Sequence, residues 1–150
     1  MKSLFGALTA LAIVAGLGWT GGYLYWHIRL VGALRTLETR SGPQGTDLDA
    51  VQIVQEAGCK ALPYLIGAIQ PGKNPFFLAE ATKLLKLSLQ GPVLRGDYEL
   101  YERSTDWLIT PETRVEERQK KCDDLHAWWR EKGEARHSGA TWWRHDCGGV

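Results

Sequence analysis

The chain opens on an apolar run. From Leu4 to Trp26 there is no charged residue, and at 1.5 Å per residue such a helix crosses a hydrocarbon layer of about 30 Å. Trp19, Tyr23, Tyr25 and Trp26 crowd the C-terminal end of the run and Arg29 follows. Amphipathic rings favour the headgroup layer, so these four read as an interfacial belt. Two readings of residues 1–30 stand: a retained transmembrane anchor, or a signal sequence with Lys2 as its short basic start. The length of the run and its continuation into aromatics point to the anchor. Gly18 and Gly22 give one GxxxG spacing, which lets helices pack closely in lipid and allows an oligomer through this segment. Glycine is also simply common in such helices.

Beyond the run the apolar period becomes helical. Val31 to Arg40 can extend the anchor helix, and Ser41-Gly-Pro-Gln-Gly45 is a breaker cluster, so residues 31–45 read as a linker. Thr46 is the expected N-cap of the next helix, with Asp47 and Asp49 in its first turn, where the helix dipole favours negative charge. Leu48, Val51 and Val54 form its stripe, and Gly58 ends it. A second helix covers about Lys60 to Gln70, with Leu62, Leu65, Ile66 and Ile69 at i, i+3, i+4 and i+7 and Pro63 tolerated in the first turn. Asn74 as N-cap and Pro75 at the first helical position open a third, running to about Leu89 with Phe77, Ala81, Leu84, Leu85 and Ser88 on one side. Thr110-Pro-Glu is expected to restart a helix that continues to about Lys132, with Val115, Cys122, Leu125 and Trp129 on its apolar side. No alternating strand pattern appears. The expected class is all-α: a transmembrane helix, then a small domain of helical hairpins over residues 46–133, then a Trp-rich tail over residues 134–150.

Composition narrows the function classes. A net charge of +1, with acids and bases interspersed, argues against a nucleic-acid partner and for a solvated helical surface. Glu116/Glu117 and Asp123/Asp124 lie beside Arg118, Lys120 and Lys121, an ion-pair surface rather than an acid–base pair. There is no Gly-rich phosphate loop, nucleophile elbow or HExxH. His27 stands at the membrane end without a second histidine in the span, which suits an interfacial polar residue better than a haem ligand. No cofactor is expected.

Cys122, His126, His145 and Cys147 supply the donor types of structural zinc. Cys122 and His126 would share a helix face at i, i+4, but His-x-Cys is not a usual zinc spacing. A Cys122–Cys147 disulfide is open if the domain is exported, and free thiols with Cys122 packed as a small hydrophobe remain the third reading. Trp142 and Trp143 are the pair to expect on an exposed partner patch, since Trp is enriched at binding hot spots. The side of the membrane is undetermined. Lys2 and the amino terminus compete with Arg29, Arg35 and Arg40, yet a short basic start is common on anchors that export their domain.

One stretch carries a resemblance. Gly58, Ala61, Pro63, Leu65 and Ile66, followed by Ala81, Leu84 and Leu85, resemble the two elements of a bacterial HEAT-like repeat of the PBS-lyase type. Arg114, Arg118 and Leu125-His-Ala-Trp-Trp129 are similar to the Arg-rich helix that often closes such proteins. The resemblance implies an α-solenoid fragment that binds other proteins, with no catalytic residues. The expectation is thus a single-pass, membrane-tethered, non-catalytic scaffold, or alternatively a small accessory subunit of a larger membrane enzyme complex. Only one repeat is clear, and one repeat cannot bury its own face. Trp129, with Leu125, is therefore expected to cap the hairpin around Leu65, Ile69, Leu84 and Leu85.

Overall fold

The computed structural model describes residues 2–89 and 98–133, with side chains from residue 20 onward except at 98–101 and 133. It is all-helical, and among the described residues no strand forms. Helix α1 runs unbroken from Lys2 to Arg40. It is followed by α2 (Leu48–Ala57), a 3₁₀ turn (Gly58–Ala61), α3 (Leu62–Ala68), α4 (Pro75–Ser88), α5 (Tyr98–Asp106) and α6 (Val115–Trp128), which ends in a π turn (Trp129–Gly133). Among the described residues no helix is long and apolar enough to cross a membrane. The side chains of most of the apolar run, residues 4–19, lie outside the description.

The last three turns of α1 are part of the domain. Leu30, Ala33, Leu34 and Leu37 are buried in the common core, and α2 packs along them. The expected linker over 31–45 is therefore corrected. Its first ten residues are core helix, because their apolar positions recur at helical spacing and have α2 to cover them. Only the breaker cluster turns the chain. Gly42 and Gly45 exchange reciprocal backbone hydrogen bonds of 3.0 Å, and Gly45 holds φ +125°, a conformation that favours glycine.

The cap of α2 also shifts by one residue. Asp47 is the N-cap, its Oδ1 accepting from the Ala50 N–H at 3.1 Å. The Thr46 hydroxyl instead meets Ser41 Oγ at 2.9 Å. Ala50, Val54 and Ala57 face the core while Leu48 is 77% exposed, so the expected stripe rotates to follow. Gly58, with φ +56°, ends the helix as expected.

The α3–α4 hairpin has the expected apolar faces. Leu62, Leu65, Ile66 and Ile69 are fully buried, as are Phe77, Ala81, Leu84 and Leu85. Pro63 sits at the start of α3, and Asn74 caps α4 by accepting from the Phe76 N–H at 3.0 Å. Asn74 Nδ2 also donates to the Ser41 carbonyl, and Lys73 Nζ donates to Glu38 Oε1 at 2.6 Å, tying the hairpin loop to the end of α1.

The closing region differs more. Thr110-Pro-Glu-Thr113 is a turn, with the Thr113 N–H on the Thr110 carbonyl at 3.0 Å and the Thr110 N–H on Thr113 Oγ1 at 2.9 Å. Proline suits the second position of such a turn, so the helix begins only at Val115. The expected capping residue is corrected too. Cys122, Leu125 and Trp128 are buried, Trp129 is half-buried against the core, and Val115 is 62% exposed. Trp128 meets Trp107, which follows the end of α5, in a tilted contact with the ring centres 5.1 Å apart, and this draws the Trp128 ring inward. The change to π geometry at Trp129 then alters the helical phase. The loop before α6 is held by Lys121, whose Nζ donates to the Asp106 and Leu108 carbonyls at 2.9 Å. Buried Thr82 Oγ1 accepts from the Ile109 N–H at 3.1 Å.

Candidate functional site

Among the described residues, a cluster of polar and aromatic side chains lies where the apolar part of α1 meets the domain. It is built from one α1 segment, Tyr23 to Arg29, and from the turn and helix that cross it, Lys60 and Tyr64. The rings of Tyr23 and His27 stack at 5.7 Å, one helical turn apart as i, i+4 spacing requires. His27 Nδ1 lies 3.0 Å from the Tyr64 hydroxyl, linking α1 to α3. Burial, and then the neighbouring Tyr23, push the Tyr64 hydroxyl up to about 12, so it stays protonated at any physiological pH.

On the adjoining side, Arg29 Nη1 donates to the Tyr25 hydroxyl at 2.7 Å. The guanidinium also lies 5.3 Å and 5.7 Å from the Tyr25 and Trp26 ring centres and 3.5 Å from Glu56 of α2. Lys60 Nζ stands 5.4 Å over the Trp26 ring. Cation–π contacts of this kind contribute about 0.5–2 kcal/mol each, more where water is excluded. The cluster has no nucleophile–base pair. Its chemistry is that of a joint: it fixes the angle between α1 and the hairpin.

The expected belt is thus divided in use. Trp26 packs against the core, while Tyr23 and Tyr25 are 42% and 52% exposed and also serve the joint. Gly18 lies on α1 with its surroundings, like the Trp19 side chain, outside the description, and Gly22 is half-buried. Lys60, Tyr64 and Glu56 were not singled out by the sequence pattern, because their partners are far away along the chain. The aromatic cluster at 19–26 was the one signal that marked the place.

Of the four candidate zinc donors, Cys122 and His126 fall among the described residues. Cys122 is a free thiol buried in the core, and burial pushes it up to about 11, which disfavours the thiolate a metal needs. His126 Nε2 donates to the Ile69 carbonyl at 2.8 Å, locking α6 onto the end of α3. Among the described residues no group of three His, Cys, Asp or Glu could hold a metal ion. His145, Cys147, Trp142 and Trp143 lie outside the described residues. Of the three readings open for Cys122, the structure has the free thiol packed as a small hydrophobe and not the Cys122–Cys147 pair, while Cys59 is disulfide-bonded.

At the opposite end of the domain, Ser41, Gly45, Thr46, Phe76, Glu80 and Lys83 line an open cleft of about 260 Å³. That falls short of the roughly 300–1,000 Å³ typical of small-molecule pockets. Its charges face each other as a Glu80–Lys83 pair at 3.8 Å.

No family model matches this chain, and no curated protein or solved structure matches it either.

Proposed function

We propose that this protein is a single-pass membrane scaffold, non-catalytic, whose HEAT-like helical domain stands rigidly at the bilayer surface and docks another protein. The observation that carries the reading is the continuity of α1 from Lys2 to Arg40, with Leu30, Ala33, Leu34 and Leu37 buried in the domain core. A helix that is apolar from Leu4 to Trp26 and then enters the core leaves no flexible tether. The joint of Tyr23, Trp26, His27, Lys60 and Tyr64 adds a second brace at the level of the headgroups. Rigid presentation suits a module that holds a partner at a set height above the membrane.

A second reading, an accessory subunit within a larger membrane complex, draws on a different surface. Leu24, Ile28 and Val31, at i, i+4 and i+7, are 54%, 60% and 46% exposed. They form a stripe on the side of α1 away from its buried positions, ready for a neighbouring helix. Gentle detergent extraction followed by native electrophoresis separates the readings. Salt-sensitive association of variable stoichiometry that survives Ile28→Ser supports the scaffold. Fixed co-migration that Ile28→Ser abolishes supports the subunit. A partner-free monomer defeats both, and release from membranes by alkaline carbonate defeats the anchor itself.

A further inference from the structure

We propose that phospholipid covers the exposed face of α1 at Leu24, Ile28 and Val31, so that the bilayer reaches about 7.5 Å further along this face than along the face holding the domain. At the upper edge of this face Arg35 meets the lipid phosphates. The inference rests on the membrane anchor of the proposed function and names what lies against α1 where the domain does not. Counted at about 100° per residue, Gly21, Leu24, Ile28, Val31 and Arg35 share one side of the helix, and all five are exposed. Leu30, Ala33 and Leu37, buried in the core, take the opposite side.

On the exposed side the apolar surface continues past Trp26. Arg29 is the one Lys, Arg, Asp or Glu between Trp26 and Arg35, and it is held on the flank by the Tyr25 hydroxyl and by Glu56. The first charge on the exposed side is therefore Arg35. Among the described residues its guanidinium has no ion pair, whereas Arg29, Arg40 and Lys73 each have one. Arg35 stands four residues beyond Val31, about 6 Å along the axis. An arginine stem can lie along apolar surface over that distance and place its charge among anionic headgroups. Five residues separate Trp26 from Val31, which is the offset between the two faces. The helix thus leans over its exposed side with the domain above, as spanning helices tilted by up to about 40° do. A second copy fits this face less well. Two parallel helices in one membrane would bring their Arg35 groups together, and like charges oppose such a contact; lipid phosphate supplies the opposite charge.

The test uses the full chain in vesicles of phosphatidylcholine and phosphatidylglycerol that carry a phospholipid with a diazirine in the upper half of one acyl chain. After irradiation, trypsin separates residues 3–29 from residues 30–35, and mass spectrometry locates the lipid adducts. Adducts on both peptides are expected, with the second at Val31 and not at the buried Leu30 or Leu34. Adducts confined to residues 3–29 overturn the inference and leave the anchor standing, since the face beyond Trp26 is then covered by a second copy or by water. Adducts on neither peptide remove the anchor of the proposed function and the inference with it. The headgroup contact is read on Arg35→Gln, as phosphatidylglycerol retained per chain after purification in a neutral detergent. A loss of about fivefold against the parent is expected, with the circular dichroism unchanged. Equal retention overturns the contact between Arg35 and lipid phosphate.

Discussion

The α3–α4 hairpin and the closing helix α6 are both two-faced helices packed into one core, yet they hold their places differently. The hairpin is bounded by residues that act locally: Gly58 at φ +56° before it, Pro63 at the start of α3, Asn74 capping α4. Its helices lie close together along their lengths. Helix α6 has no side-chain cap, since its N-cap position is Arg114 without a capping bond. It reaches the core through long side chains instead: Trp128 to Trp107, His126 to the Ile69 carbonyl, Lys121 to the loop before it. One region is specified by its own short-range chemistry and the other by its partners. Stability should therefore respond to different kinds of substitution in the two places.

The largest expected effect falls on the partner-specified region. Trp128→Ala should cost about 3–5 kcal/mol, as for other buried aromatic truncations. Trp129→Ala, at a half-buried position, should cost about 1 kcal/mol. Thermal unfolding of the full chain in detergent, followed by circular dichroism, measures both. Equal losses, or the reverse order, would contradict the phase at which α6 meets the hairpin. Next comes the hairpin itself. Leu65→Ala removes a fully buried side chain and should cost about 2–5 kcal/mol. A loss under about 1 kcal/mol would mean that the α3 face is open rather than covered.

The same contrast explains what could be read from the residues alone. Leu62, Leu65, Ile66 and Ile69 were legible as one face because their spacing matches a regular helix and nearby glycine and proline fix its start. For α6 the ideal period put Trp129 in line with Cys122 and Leu125, yet the ring taken inward is that of Trp128. Its partner Trp107 and the π turn after it belong to tertiary structure, which periodicity does not carry. Thr110-Pro-Glu resembled a helix start because a cap followed by proline is also how a turn begins. At the joint, the aromatic belt was visible, but the use of Trp26 and His27 to grip Lys60 and Tyr64 was not. Those contacts span more than thirty residues of sequence.

Caps sharpen the comparison at a smaller scale. Asn74→Ala should cost about 1 kcal/mol, since Asn74 satisfies the Phe76 N–H at the head of α4. Arg114→Ala, at the N-cap of α6 where the side chain makes no capping bond, should cost close to nothing by comparison. The two variants measured side by side decide the matter. A loss at Arg114 as large as at Asn74 would show that α6 also carries its own local start signal.

The smallest effect concerns acid, and it divides two caps of the same architecture. Asp47 caps α2 as Asn74 caps α4, but only Asp47 titrates. The Ala50 N–H on its carboxylate, and next the Arg40 guanidinium at 2.8 Å, hold its carboxyl below the usual carboxylate range. A group whose folded-state pKa is lowered binds its proton more weakly in the folded state than in the unfolded one. Its contribution is therefore complete above the unfolded value and is lost as pH falls through the folded one. Stability of the parent should decline as pH drops below about 4, the ordinary aspartate range, and Asp47→Asn, which keeps an acceptor for the Ala50 N–H, should flatten that part of the decline. Asn74→Asp gives the converse, adding an acid-sensitive step at α4 where the parent has none. Unfolding midpoints from pH 7 down to pH 3 read both variants against the parent. If Asp47→Asn leaves the acid slope unchanged, the carboxylate at the head of α2 is a geometric acceptor only, and the charge that Arg40 meets there contributes nothing measurable to the fold.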